Sequence, residues 1–393
     1  MKIASLDKAR DLSGRRVFLR VDFNVPLSDG RIIDDYKIKS GLETIEYLVA
    51  KGAKVIIATH LGEPQGYQGE FSCAPIARAL KKLLKKEILF AGRADWEKVF
   101  QAVNKLPDGS LLFLENLRFN SGEYDNDKKF AKTLASLADI YVNDALAVSH
   151  RRQASIAALS ELLPSYAGFL LEKELKAFDK VMSPEKPLLV IMGGAKISTK
   201  APLISKMKSG ADNILIGGAL ANNFWKYQGF EIGLSKYDKD SEQYIARFFR
   251  KSGALDKKII LPLDVVVKGG NGEARVTIPS EVKKNDCILD IGPKSIEYYC
   301  QLIKGAKTMV WNGPLGKFEE SSYRHGTMTV ARALASRSSG RAFGLVGGGE
   351  TVAAIKASGM AEYVDWISTA GGAMLTFLGG GQMPGLKQLI KKI

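Results

Sequence analysis

Residues 168–196 read GFLLEKELKAFDKVMSPEKPLLVIMGGAK. The first part has the pattern of one amphipathic helix over Phe169–Met182. A connector rich in proline and charge follows at 183–187, where a helix cannot continue. The next residues, Leu188 to Met192, form an uninterrupted aliphatic run, the pattern of a strand buried on both faces. Gly193-Gly194 then opens into a helix start carrying Lys196 and Lys200. The stretch therefore closes one α/β unit and begins another.

The same rhythm runs outward in both directions. Toward the C-terminus, ILIGGALANNF (214–224), FGLVGGGET (343–351) and WISTAGGAM (366–374) each run a strand into glycines and then a helix. Glycine lets the backbone approach a ligand closely, and a helix start presents free N–H groups to an anion. Toward the N-terminus, 16–23 and 55–58 read as strands, and so do 111–114 and 140–142. A helical period runs through Ile38, Leu42, Ile45, Leu48 and Val49 to Gly52. Further helices are expected from a Ser72 cap through Leu84 and over 125–137. Alternating strands and helices predict parallel sheets with right-handed crossovers.

Several polar residues fall at these strand ends. RVDFNVP (20–26) offers Asp22 and Asn24, ATHLGEP (58–64) offers His60, LENLRF (114–119) offers Arg118, and AVSHRR (147–152) offers His150, Arg151 and Arg152. Each alone is an ordinary turn or surface residue. As a set they describe a small-anion pocket. No GxxxxGK[ST] loop and no clean GxGxxG with a following acidic residue occurs, so neither a P-loop enzyme nor a dinucleotide dehydrogenase is supported.

Composition is consistent with this. The 393 residues are 46% hydrophobic and 25% charged, ordinary for globular domains and long enough for two. Cys73, Cys287 and Cys300 are too few and too scattered for a disulfide framework or zinc site. No apolar run could span a bilayer, and the first ten residues lack a signal peptide's apolar region, so a cytoplasmic address is expected. The net charge is +15. Residues 1–185 carry 28 basic and 25 acidic side chains, whereas residues 186–393 carry 29 and 17. An excess concentrated in the second half suits a polyanionic ligand there, and leaves nucleic acid as a competing partner. The lysines at 81, 82, 85 and 86 read as a solvated helix face, and no aromatic-basic interleaving supports RNA binding.

In order, RVDFNVP, HLG, ENLRF, YVNDA, HR, GGAK, LPLD, WNGPLGKFE and GGGET give a sequence that resembles the phosphoglycerate kinase family over nearly its whole length. The resemblance implies a hinge-bending kinase of two doubly wound, Rossmann-like α/β lobes joined by a helix. The expected parts are a phosphoglycerate domain (1–168), an interdomain helix and hinge (169–187), a nucleotide domain (188–378) and a tail returning to the first domain (379–393). It implies reversible phosphoryl transfer between 1,3-bisphosphoglycerate and ADP, giving 3-phosphoglycerate and ATP, with Mg2+, in a monomer. By motif match Asp22, Asn24, Lys37, His60, Arg118 and Arg151 would bind phosphoglycerate. Gly194, Lys196, Lys200, Gly218, Asn312, Pro314, Glu319, Gly347, Gly348, Gly349, Glu350 and Thr351 would form the nucleotide site. Within that site Glu319 would meet the ribose and Glu350 the metal. Lys37, Lys196, Gly371 and Gly372 would face the transferring phosphoryl group. The chain departs from the family at Lys37 (usually Arg), Glu63 (Arg), Ala147-Val148 (Gly-Thr), Glu350 (Asp) and Ala370 (Gly). Arg152, beside Arg151, is the candidate to offset Glu63. The alternative is a diverged homologue with weak catalysis that binds nucleotides or nucleic acid.

Overall fold

The computed structural model describes residues 3–93, 95–250 and 252–390. The chain divides into two compact units, Met1–Lys176 with Gln382–Ile393, and Ala177–Gly381. The division falls inside the helix Phe169–Met182, whose ends match the sequence reading.

The first unit is built on β1 (Arg16–Val21), β4 (Lys54–Ala58), β5 (Ile88–Phe90), β6 (Leu111–Phe113), β7 (Ile140–Asp144) and β8 (Ser165–Ala167), with a small hairpin of β2 (Leu27–Ser28) and β3 (Arg31–Ile32). The six long strands form one sheet in the order β5-β6-β4-β1-β7-β8, parallel throughout. Side chains alternate across it. Val17, Leu19, Val55, Ile57, Leu111 and Val142 pack into one core, and Phe18, Ile56, Leu112 and Tyr141 into another on the opposite face. Continuous burial is thus two period-2 patterns laid on two covered faces. Residues from Gln382 onward belong to this unit, where Ala4 N–H donates to the Leu389 carbonyl at 2.8 Å.

The second unit holds β9 (Leu188–Met192), β10 (Asn213–Ile216), β11 (Ile259–Ile260), β15 (Thr308–Asn312), β16 (Phe343–Gly347) and β17 (Trp366–Ile367) in a parallel sheet ordered β11-β10-β9-β15-β16-β17. Counted within the sheet this is 3-2-1-4-5-6, the doubly wound order whose reversal point lies between β9 and β15. A separate antiparallel sheet, β13-β12-β14, comprises Val265–Lys268 (β12), Ala274–Thr277 (β13) and Cys287–Ile291 (β14).

Three sequence expectations are corrected. The helix expected through 38–49 is two helices, Tyr36–Ser40 and Leu42–Ala50, meeting at Gly41. A Cβ there would stand 2.9 Å from the Phe23 ring, so that packing excludes a larger residue. The helix expected over 125–137 is Lys128–Ser136, because Asp127 accepts the Phe130 N–H at 2.7 Å and caps it. Ser72 lies two residues before the helix Ala74–Leu84, whose N-cap position is taken by Cys73. Its hydroxyl donates to Glu115 at 2.8 Å and accepts the Ala74 N–H at 3.3 Å.

Candidate functional site

In the first unit the strand order reverses between β1 and β7, so the loops at the carboxyl end of β1 and its neighbours form the natural crevice. Asp22 follows β1 there. Its Oδ2 takes the Lys37 ammonium at 2.7 Å, its Oδ1 accepts the Asn24 N–H at 3.1 Å, and His60 Nδ1 lies 3.9 Å from Oδ1. Burial alone would push the Asp22 carboxyl up. The charge of Lys37, with the hydrogen bonds from Lys37 and Asn24, outweighs it and holds the pKa at about 2. His60 follows β4 and is 2% exposed. Burial drives its pKa well below the ordinary value, against the pull of Asp22, so the imidazole is neutral. Arg20 Nη2 lies 3.2 Å from His60 Nδ1. A guanidinium has only hydrogens to offer, so Nδ1 accepts and the proton resides on Nε2.

Asn24 Oδ1 accepts the Gly62 N–H at 3.0 Å and anchors the loop after His60. Gly62 has φ +60°, and a Cβ there would lie 2.3 Å from the Phe71 ring. Arg118 donates from Nη1 to the Gly62 carbonyl at 2.5 Å. Its side chain is 1% exposed, and Nε and Nη2 have no hydrogen-bond partner among the described residues. Two buried, uncommitted guanidinium donors are costly unless a ligand takes them. Arg151 reaches Glu63 Oε1 at 3.0 Å, and Arg118 Nη1 stands 3.6 Å from the same oxygen. The offset expected from Arg152 therefore comes from Arg151 and Arg118. Arg152 is exposed and makes no ion pair among the described residues.

Because the folded Asp22 pKa lies below its ordinary 3.8, its stabilisation is full above about pH 4 and is lost as pH falls toward 2. The shift corresponds to about 2 kcal/mol. The difference in melting temperature between the unsubstituted chain and Asp22→Asn should therefore shrink across that window. A difference independent of pH between 4 and 2 would contradict the ion pair.

In the second unit the reversal point is framed by Gly193-Gly194 after β9 and by Asn312, Gly313 and Pro314 at the end of β15. Gly194 N–H donates to the Pro314 carbonyl at 2.8 Å, and Gly218 N–H, after β10, to the Leu315 carbonyl at 2.9 Å. A Cβ on Gly193 would lie 2.1 Å from the Pro314 carbonyl oxygen, so these turns meet backbone to backbone. Behind them Lys200 is buried and donates to Asn312 Oδ1 at 2.7 Å. Asn312 Nδ2 donates to the Gly347 carbonyl at 2.8 Å, and Gly313 N–H to Thr351 Oγ1 at 2.6 Å. One ladder of side chains thus ties the ends of β15 and β16 to the helices Ile197–Gly210 and Gly349–Ala357. Burial brings the Lys200 pKa down to about 8, although the Glu350 charge opposes it.

A cleft of about 360 Å³ lies beside this ladder. Gly194, Gly218, Pro314, Glu319 and Glu350 line it. Gly348 and Gly349 begin the helix that carries Glu350 and Thr351. Lys196 is exposed immediately before the helix Ile197–Gly210. Gly371 and Gly372 lie at the start of the helix Gly372–Leu378, with open space where a Cβ would go. The sequence reading missed the apolar wall formed by Trp225, Pro262, Val265, Ile288 and Leu289. Three of those five residues come from the antiparallel sheet, Val265 on β12 and Ile288 and Leu289 on β14. The available signal was the glycine-rich turn at 269–272 between the runs 265–268 and 274–277, the pattern of a hairpin.

These arrangements permit anion binding and phosphoryl positioning. The first unit supplies fixed positive charge and a neutral N–H donor. The second supplies an apolar slot flanked by glycine turns and lysines. No group of three or more His, Cys, Asp or Glu capable of holding a metal occurs among the described residues. No described helix is long and apolar enough to cross a membrane.

A family model described as phosphoglycerate kinase matches residues 6–381. The phosphoglycerate kinase of Pelotomaculum thermopropionicum is 42% identical over 387 residues, covering 97% of this chain and 98% of that protein. That of Thermosipho africanus is 42% identical over 388 residues, covering 97% and 96%. The solved structure of phosphoglycerate kinase from Coxiella burnetii superposes with a TM-score of 0.84 at 36% identity, and that from Pyrococcus horikoshii with 0.83 at 32%, each covering 98% of both chains. With its two parallel sheets, its strand-end motifs and a match over nearly its full length, this chain belongs to the phosphoglycerate kinase family.

Proposed function

We propose that the chain transfers a phosphoryl group reversibly between 1,3-bisphosphoglycerate and ADP, giving 3-phosphoglycerate and ATP. The observation that carries this reading is Arg118, a buried cation with two free donors at the crevice of the first unit. Phosphoglycerate binds there through Arg118, Arg151, His60, Asn24 and the Asp22–Lys37 pair. The nucleotide occupies the cleft of the second unit, with its base on the apolar wall, its ribose toward Glu319 and its phosphates over Gly194, Gly218 and Gly347–Gly349. Lys200 and Asn312 hold these turns rigid, and Thr351 fixes Gly313.

Acceptor and donor are both ionised oxygens, so transfer needs no general base. The 3-phosphoglycerate carboxylate forms the new P–O bond as the ADP oxygen leaves with its electron pair. What remains for the protein is positioning and stabilisation of spread negative charge. Lys196 and the backbone at Gly371-Gly372 supply that stabilisation. Ligands held on separate units must be brought together for transfer, and the helix Phe169–Met182 with the connector at 183–187 is the hinge we assign. Excluding water during that step protects the phosphoryl group from hydrolysis.

Glu350 is a single carboxylate on the cleft, at the first turn of its helix. Mg2+ commonly takes one or two carboxylates plus substrate phosphates, so Glu350 fits a metal that arrives with the nucleotide. Bound there, Mg2+ would neutralise phosphate charge. The chain acts as a monomer in the cytoplasm.

Hydrogen exchange on the intact chain tests the assignment. 3-Phosphoglycerate should protect amides around 60–63, 118 and 151, and ADP those around 193–196, 217–219 and 313–319. The reverse pattern, or protection of neither set, contradicts it. Lys37 offers a further check. It grips Asp22 through one point contact, and an arginine would grip it through two. Lys37→Arg should keep turnover within about threefold or raise it. A tenfold loss in steady-state kinetics would show that the pocket is organised around the ammonium.

A further inference from the structure

Glu63 stands in the anion crevice itself. Its Oε1 lies 3.0 Å from Arg151 Nη1 and 3.6 Å from Arg118 Nη1, so one carboxylate oxygen lies between two guanidinium groups. Its backbone is held in place. The preceding Gly62 gives its N–H to Asn24 and its carbonyl to Arg118. Its side chain is 67% exposed. The base is therefore anchored while the tip can retract into water without disturbing the fold. Arg118 meanwhile is buried and its Nε and Nη2 have no partner among the described residues, so Glu63 engages the edge of the cation pair and leaves the inner donors unpaired. A carboxylate on these arginines is chemically what an incoming phosphate or carboxylate would be, with less charge than a phosphate dianion.

We propose that Glu63 is a displaceable internal counter-ion of the Arg118–Arg151 pair, which the anionic group of phosphoglycerate must expel in order to bind. The inference rests on the assignment of these arginines to the phosphoglycerate site. Glu63 lowers affinity in two ways. It competes for the Arg151 fork, and its charge repels the approaching ligand until it swings away. It also sets a threshold. A dianion that can use the free inner donors of Arg118 displaces it, whereas a weak monoanion that reaches only the edge does not. Removing the charge should therefore tighten anion binding, the opposite of what loss of a supporting contact would do.

The test is calorimetric titration of 3-phosphoglycerate into the intact chain without nucleotide, for the unsubstituted protein, Glu63→Gln and Arg151→Gln. Glu63→Gln keeps the shape and removes the charge. Its Kd for 3-phosphoglycerate should fall by about two- to tenfold, the scale of one partly exposed ion pair with the repulsion lifted. Arg151→Gln should raise Kd, and in that background Glu63→Gln should have a smaller effect. Inorganic phosphate, titrated as a second probe, should follow the same order. An unchanged or higher Kd for Glu63→Gln, with Arg151→Gln still weakening binding, overturns the counter-ion proposal and leaves the site assignment intact. No effect of Arg151→Gln overturns the site assignment and the proposal together.

Discussion

Replacing Arg118 with methionine is expected to lower kcat/KM for 3-phosphoglycerate by about a hundredfold or more while leaving the melting temperature unchanged or raised. The two effects come from the same geometry. Arg118 holds two buried donors without partners among the described residues, and a hydrogen bond from a charged group to a ligand contributes roughly 1.5–3 kcal/mol. Two such bonds lost is about two to four orders of magnitude at 1.4 kcal/mol per tenfold. In the unliganded protein those donors have given up water for nothing, and replacing an incompletely paired buried ion with an apolar side chain of similar length is often neutral or stabilising. Methionine can follow the arginine's path beneath the Tyr124 ring, which now lies 5.3 Å from the guanidinium carbon. Steady-state kinetics with a thermal melt separates the possibilities. A collapsed melting temperature with unchanged kinetics would make Arg118 a structural residue.

Lys196→Ala carries the second large effect. The side chain is exposed just before the helix Ile197–Gly210, beside the Gly193-Gly194 turn at the reversal point of the second sheet. Its loss should leave the fold intact, because neither core packing nor a helix cap depends on it. Turnover should fall by about 10²–10³, the usual cost of removing one preorganised charge-stabilising donor, equivalent to about 3–4 kcal/mol. The KM for 3-phosphoglycerate, bound on the other unit, should hardly change. Lys200 provides the contrast. It is buried in the Asn312 ladder, so substitution there would disturb the turns themselves. Unaltered turnover in Lys196→Ala would remove it from the phosphoryl path.

How far the sequence could be read depends on the range of the interaction involved. The helix Phe169–Met182 and the strand Leu188–Met192 were legible to the residue, because an amphipathic period, a proline connector and an aliphatic run are local signals. Gly41 was not, since the break it makes depends on the Phe23 ring, eighteen positions away in the chain and brought close only by the fold. The start at Asp127 rather than Asp125 turned on which carboxylate reached the Phe130 N–H. For the sites, motif resemblance named residues at strand ends, and the sheet order explains why strand ends are where they gather. It could not show that His60 is neutral, that Lys37 is committed to Asp22, or that Glu63 rests on the arginines. Those are outcomes of burial and of contacts between loops far apart in sequence. The apolar wall of the cleft was missed for the same reason, since Trp225, Pro262, Val265, Ile288 and Leu289 come from segments that only the fold brings together.

Reversible phosphoryl transfer between a nucleotide and a carboxylate, by a chain that keeps its arginine crevice despite Glu63, is tested most directly by a coupled assay of the purified protein with 3-phosphoglycerate, ATP and Mg2+, following formation of 1,3-bisphosphoglycerate. Sustained turnover that vanishes when either substrate is withheld and falls about a hundredfold in Arg118→Met is the predicted result. A folded protein that binds ADP yet gives no turnover at saturating 3-phosphoglycerate would contradict the account.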